Sequence, residues 1–516
     1  MEKLSLYILV AGVALCAVVF SYNDTTVDYT ITPRNLIWGI TTIALLWLVR
    51  GDLSVLRRWI FPIFTAYLAF VLLSIYQAAN IGEAIYESFR VLNSLIFLFC
   101  VTTILKDPMN NEVFFKSMVL ITCGLGMYGI YQFIVPGSRT GTMGGVNQCS
   151  GAFLLLLIFC VYAGRYEDFK GPSIIASLLC LFVIFTMRTR SVWLALFIAS
   201  MVVFNKRAIF GVLVLFIVAG GLLYGIRGKQ ILSPASLMER LHLWRQTIRM
   251  AKDHPLGVGA GNWKVAVQPY AGEGVMSYWE NGKYFVRSCN DFLQVFSEIG
   301  PGGLFYLAMF VISLFYARGD RVLVAGIIGY MVFACFSFPH ERPFLSMILM
   351  ILMALAILKY HKPSRFKARG MKFAKVLITI VLSLGVVDFA LRYEMSRRTV
   401  RIYRAVIGKD WEKVIEETEH YSRLSNIDHS STPISYFRGL AFYSLGDPKK
   451  AVDAAEKLFI ENPNHLYSLM NLSLCLRSAG RYEEAELCYG IVVGMYPDFK
   501  EGFKQYRITR GILGKT

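Results

Sequence analysis

Charge is scarce in this sequence. Only 17% of its 516 residues are charged, where a soluble protein averages about a quarter, and acids (35) are fewer than bases (53). That shortage excludes an ordinary water-facing surface over the whole chain. Ten cysteines occur but none as a CxxC pair, and no HExxH spacing exists, so neither a disulfide framework nor a metal site is implied. The cysteines read as buried free thiols. No cleavable leader stands out behind the first three residues. A dinucleotide fingerprint is missing too, since the GxGxG at Gly257, Gly259 and Gly261 has no preceding strand.

What the chain has is apolar length. It is 55% hydrophobic, in runs that recur as far as residue 391. About 20 apolar residues cross a bilayer as a helix, and lipid admits only helices or closed barrels. The expected fold class is therefore all-α, a polytopic membrane protein with about thirteen spans: 3–21, 35–49, 59–77, 84–105, 113–135, 150–164, 172–187, 190–204, 207–226, 291–317, 321–338, 343–359 and 373–391. The net charge of +18 then serves orientation and anionic headgroups rather than nucleic acid. Basic residues follow the even-numbered spans: Arg50, Arg57 and Arg58, then Lys106, Arg165 and Lys170, Lys206 and Arg207, Arg318 and Arg321, and the stretch KYHKPSRFKARGMK at 359–372. This pattern predicts a cytoplasmic N-terminus and an external C-terminus.

With that topology the loops 136–149, 188–190, 227–290 and 339–343 share the external side. The longest, 227–290, carries Trp244, Trp263 and Trp279 and a helical period through ERLHLWRQTIRMAKDH, so it is expected to be ordered. After Arg392 the character turns soluble. Gly446, Ala451 and Pro463 recur as Gly480, Ala485 and Pro497, each 34 residues on (480−446, 485−451, 497−463), which is the tetratricopeptide period. AVIGKDWEKVIEET (405–418) reads as a degenerate earlier unit. The expected domains are thus 1–391 in the membrane and 392–516 as an α-solenoid of about three repeats projecting outside.

Polar residues gather in the external loops. Arg188 and Arg190 top the eighth span, against the positive-inside bias; an interface anchor is the bland reading. A helix over about 235–252 puts Arg240, Trp244 and Ile248 on one face. Gly259 and Gly261 permit close backbone approach to a ligand. Asn290 or Asp291 can N-cap the tenth span, while Glu298, two turns inside it, requires a partner or a polar cavity. Arg139, Asn147, His340, Glu341 and Arg342 complete the set.

The motifs TRSVWLA, ERLHLWRQTIRMAKDHPLGVGAGNW and NDFLQVFSEIGPGGL, in that order around a long external loop, resemble the O-antigen ligase-like superfamily of O-antigen ligases, O-antigen polymerases and bacterial protein O-oligosaccharyltransferases. GTMGGVNQ is similar to that family's Gly-Asn segment. The resemblance covers most of the membrane part. It implies metal-independent, cofactor-free, inverting transfer of a glycan from undecaprenyl diphosphate, at the periplasmic face of a bacterial inner membrane. The acceptor is lipid A–core in the leading reading, a protein or a growing glycan in the others. Arg190 and Arg240 match family arginines that would neutralise the departing diphosphate, with Arg188 assisting. Asn290 matches the asparagine of the family's His-Asn pair. Cys289 stands where the family has histidine: a working thiolate, a site bypassed by another base (His340, Glu273, Glu280 or Asp291) or by none, or an impaired enzyme all remain open. Asn147, Trp244, Gly259, Gly261, Asp291, His340 and Arg342 are the expected substrate contacts. A protein partner on the repeats is a further expectation. A non-enzymatic lipid-linked glycan transporter or scaffold is the other class of function, though charges clustered at one face rather than at the bilayer midplane favour the transferase.

Overall fold

The computed structural model describes residues 2–20, 30–49, 53–135, 141–204, 235–270, 285–360 and 371–515. Helices occupy twelve of the thirteen expected spans; the remaining one, 207–226, lies outside the described residues, as do Arg139, Glu273, Trp279 and Glu280. No strand forms among the described residues beyond one isolated bridge, Ile427 to Pro433. Eight of the described helical segments are long and apolar enough to cross a membrane, and three shorter apolar helices accompany them. The chain is thus an all-α, multi-pass membrane protein.

Burial sets the layers of the bundle. The helix Pro343–Tyr360 is 83% buried and Val146–Ala163 78% buried, so both are central. The former fills its surroundings with Met347, Met350 and Met353, unbranched thioethers that adapt to irregular gaps. The long helix Met371–Gly408 lies at the edge, with only 22% of its apolar window buried. It packs on Ile31–Leu48 where Gly39 admits Val386, the small-residue contact that brings membrane helices close.

The two ends of the bundle differ in chemistry, as the loop pattern predicts. At one end Arg58 and Arg318 lie over the Tyr360 ring at 5.7 and 5.9 Å, and Asp320 pairs with Lys359 at 3.0 Å and Arg165 at 3.7 Å. These cations follow spans two, ten, twelve and six. At the other end Gly144, Arg287 and His340, from three of the loops expected to share a side, line one cavity.

Three expectations change. The span 291–317 is interrupted: Asp291–Ile299 ends at Gly300, whose φ is +55°, and a 3-10 turn containing Pro301 leads into Gly303–Ala317. Proline has no N–H to continue the ladder. The break admits the glycine loop, for a Cβ on Gly300 would lie 2.6 Å from the Pro255 carbonyl oxygen. Second, Met371–Gly408 runs unbroken through 38 residues, about 57 Å at 1.5 Å per residue, so the boundary at 392 falls inside one helix. Third, the C-terminal part does not project. It folds back over the mouth of the bundle, where Asn80 Nδ2 donates to Asn426 Oδ1 and to the Glu461 carbonyl, both at 2.7 Å.

The 34-residue period has a backbone cause. Gly446 and Gly480 hold φ of +78° and +77° between the members of helix pairs Ile434–Ser444 with Pro448–Ala455, and Leu466–Ser478 with Tyr482–Met495. Ala451 and Ala485 are fully buried where the pairs cross. In the earlier unit Lys409 takes the left-handed position at φ +56°, followed by the N-cap Asp410. A side chain where glycine is preferred explains the weakened repeat.

Gly259, at φ +96°, sits with its missing Cβ 2.6 Å from Ala78 Cα. Gly259→Ala is expected to destabilise the protein by roughly 2–5 kcal/mol through strain and overpacking, read as a lowered melting temperature in detergent.

Candidate active site

A cavity of about 370 Å³ opens at the mouth of the bundle, within the range of small-ligand sites. Its floor begins with Ile81–Ile104. Asn80 N-caps that helix by accepting from Glu83 N at 3.1 Å, and Glu83, Glu87 and Arg90 follow at four- and three-residue spacing, hence on one face. Arg90 bonds Glu87 at 2.5 Å and the His340 carbonyl oxygen at 2.5 Å.

Opposite stands the helix Asp291–Ile299. Asn290 caps it, its side chain accepting from Leu293 N at 3.0 Å, which makes Asn290 and not Asp291 the cap. Asp291, fully buried, instead holds His340: one carboxylate oxygen lies 2.5 Å from Nδ1 and the other accepts the His340 backbone N–H at 3.0 Å. Ser346 Oγ donates to the His340 carbonyl at 2.7 Å. Ring and backbone of His340 are thereby both fixed at the cavity wall. Burial disfavours the imidazolium, but the Asp291 carboxylate, backed by Glu87 and Glu341, prevails and raises His340 to about 9. Beside it burial would raise Glu341, yet Arg287, His340 and Arg90 hold its carboxyl down at about 2. Arg287 pairs with Glu341. Arg287 and Arg342 both pack on the Phe338 ring, at 4.6 and 5.2 Å from its centre, and Arg342 donates to Thr30 Oγ1 at 3.1 Å.

Glu298 meets both of the conditions its depth imposes. It lines the cavity, and its carboxylate accepts from Gly261 N at 2.9 Å and Trp263 N at 3.3 Å. The glycine loop is thus docked onto the bundle, not left open for a ligand. Gly259 faces Ala78 and Gly261 faces Glu83, with a Cβ on Gly261 only 3.0 Å from the Glu83 carbonyl oxygen; of the two, Gly261 still borders the cavity.

Of the residues singled out from sequence, the cavity therefore gathers Gly261, His340 and Arg342 directly and Asp291 through His340. Arg188, Arg190, Asn147, Arg240, Trp244, Cys289 and Asn290 are not among its lining residues. Arg188 ends the helix Lys170–Met187 in the left-handed conformation, φ +56°, and Arg190 opens the next. Arg240 and Trp244 lie on the helix Ala235–Asp253, which packs on Asp291–Ile299; the Trp244 ring is 5.9 Å from Phe336. Cys289, also left-handed at φ +58°, packs against the cluster of Leu243, Met250 and Trp263. Burial pushes its thiol up, outweighing Arg240 and Arg287, which argues against a thiolate there. Asn147 is half-buried beside Gln148, which donates to Ser337 Oγ at 3.3 Å.

Sequence reasoning missed Glu83, Glu87, Arg90, Lys264, Arg287 and Arg392. The signal existed for three of them: two acids and an arginine on one face of an apolar span are costly unless they line something polar.

Fold and site together define a polytopic membrane protein whose helix bundle opens into a charged chamber of paired acids and bases. Residues 175–308 match the sequence model described as O-antigen ligase, from the helix Lys170–Met187 to Gly303–Ala317. The chain thus falls in the O-antigen ligase-like superfamily, membrane enzymes of the glycan ligase and polymerase kind. No curated protein matches the chain in sequence. The match includes Arg188, Arg190, Arg240 and Cys289, while His340 lies beyond it.

A histidine whose folded pKa lies above its unfolded value binds the proton more tightly when folded, so its contribution to stability is complete below about 6.5 and lost as pH rises through about 9. Melting temperature is expected to fall over that window, and Asp291→Asn to flatten the fall. An identical slope in Asp291→Asn contradicts the pairing.

Proposed function

We propose that this protein transfers a glycan from undecaprenyl diphosphate to an acceptor hydroxyl at the periplasmic mouth of its bundle in a bacterial inner membrane, most simply as an O-antigen ligase acting on lipid A–core. Protein glycosylation and glycan polymerisation use the same chemistry on other acceptors. One observation carries the reading: Arg287, Arg342 and the Asp291-held His340 converge on a single cavity at the mouth. In the reaction the acceptor oxygen attacks the anomeric carbon, the new C–O bond forms with inversion, and the bond to the diphosphate breaks. Negative charge develops on the departing diphosphate. Guanidinium groups match phosphate oxygens bidentately, and an imidazolium at neutral pH adds a further charged donor. Charge neutralisation of this kind needs no metal. The acceptor proton leaves to water at the mouth, since a diphosphate departs without a strong base to drive it. Arg190 and Arg240, at the motif positions, take the same role on the side of the cavity nearest the helix Ala235–Asp253, with Arg188 behind them.

Cys289 then serves the backbone turn ahead of Asn290 and not the chemistry. Cys289→Ser is expected to retain transfer within about threefold, whereas Arg287→Ala or His340→Gln should each lower it by about 10²–10³-fold, the usual cost of removing one donor to developing charge. Transfer by the unaltered protein is expected to decline above about pH 9 as His340 loses its proton, and this decline should be absent from the residual activity of His340→Gln. The measurement is glycan transfer in proteoliposomes. Full activity in both Arg287→Ala and His340→Gln sinks the assignment of this cavity. Loss of the protein in cells, followed by separate inspection of lipopolysaccharide ladders and glycoproteins, identifies the acceptor.

A further inference from the structure

The cavity has two walls of different chemistry. The wall made by the membrane helices and their loops carries Arg90, Arg287, His340 and Arg342. The wall made by the C-terminal part presents Met395, Ser396 and Thr399 from the long helix, and Ser425, Ile427 and His429 from the loop that follows the degenerate repeat. Its two charged members are neutralised within the fold. Arg392 bonds Glu83 at 2.8 Å, Asp388 at 3.3 Å and the carbonyls of Gly82 and Leu424 at 2.7 and 2.6 Å. Asp428 accepts from Tyr403 Oη at 2.5 Å and from Ser430 N and Thr432 N, both at 2.8 Å.

This second wall is a built surface. Asn426 is tied to Asn80, a Cβ on Gly82 would lie 2.6 Å from the Leu424 carbonyl oxygen, and the Ile427–Pro433 bridge closes the loop behind. His429 stands exposed at its tip. Hydroxyls and an imidazole donate and accept in any direction, which matches a polyhydroxylated ligand. A diphosphate finds its guanidinium partners on the opposite wall, the one continuous with the spans from which a lipid carrier arrives. A peptide bound as an added strand requires a strand edge, and none exists among the described residues.

We propose that the C-terminal wall is the sugar subsite for the acceptor, with Ser396 and His429 contacting its hydroxyls, so that donor and acceptor enter from opposite sides of one cavity. This rests on the glycan-transfer reading and adds to it the acceptor's chemical class and its place. The test uses the full-length protein in liposomes with undecaprenyl-diphosphate-linked O-antigen as donor. Rough lipopolysaccharide, which bears lipid A–core, is one acceptor, and a Ser/Thr-rich peptide is assayed in parallel. The double variant Ser396→Ala/His429→Ala should raise the half-saturating concentration of rough lipopolysaccharide about tenfold, as the loss of two ordinary hydrogen bonds predicts, and leave that of the donor within about twofold. The retained donor value and the melting temperature report that the variant is folded, and His429→Gln, which keeps a polar group on the exposed tip, should show a smaller shift of the same sign. An unmoved acceptor constant with transfer intact overturns the subsite and leaves the proposed function standing. Transfer to the peptide but not to lipopolysaccharide overturns the sugar assignment. No transfer to either acceptor by the unaltered protein overturns both.

Discussion

The side chain and backbone of Asn80 hold three parts of the molecule at one point. Its N–H donates to Asn262 Oδ1 at 2.7 Å, and Asn262 Nδ2 returns a bond to the Asn80 carbonyl at 3.0 Å. Its own amide caps Ile81–Ile104 and reaches Asn426 and Glu461. At 1% exposure every one of these groups would be costly unpaired. The membrane bundle, the glycine loop and the C-terminal helices therefore meet through a junction in which none can shift alone. The cavity is the space left beside it.

Charge in that space is arranged in pairs: Arg90 with Glu87, Arg287 with Glu341, His340 with Asp291, and Arg392 with Glu83 and Asp388. Buried pairs add little to stability compared with apolar packing. Their presence in a chain otherwise poor in charge points to use, because a preorganised set of donors costs no rearrangement when a charged substrate enters.

Much of this was legible in the sequence. Apolar length located the helices, the basic loops separated the two ends, and the 34-residue period found glycines with positive φ. The motif pattern led to the superfamily because local spacing carries it. What stayed hidden was long-range. Asn80 and Asn426 are 346 residues apart, and no local pattern announces that the C-terminal helices return to the bundle. His340 was visible as a polar residue in a short loop, but its role depends on Asp291, 49 positions earlier. Glu87 and Arg90 were absorbed into an apolar run, where composition averages them away. Gly259 and Gly261 misled for a different reason: positive φ reports a close approach without saying whether a ligand or the protein's own backbone makes it.

The helix Met371–Gly408 belongs to both environments at once. Its N-terminal half is anchored in the bilayer, and Ser396 and Thr399 on its far half form part of the cavity wall. A rod that long tilts when the hydrocarbon layer thins or thickens around it. Its outer end swings further than its anchored end, so the distance between the two walls of the cavity is coupled to the thickness of the surrounding lipid.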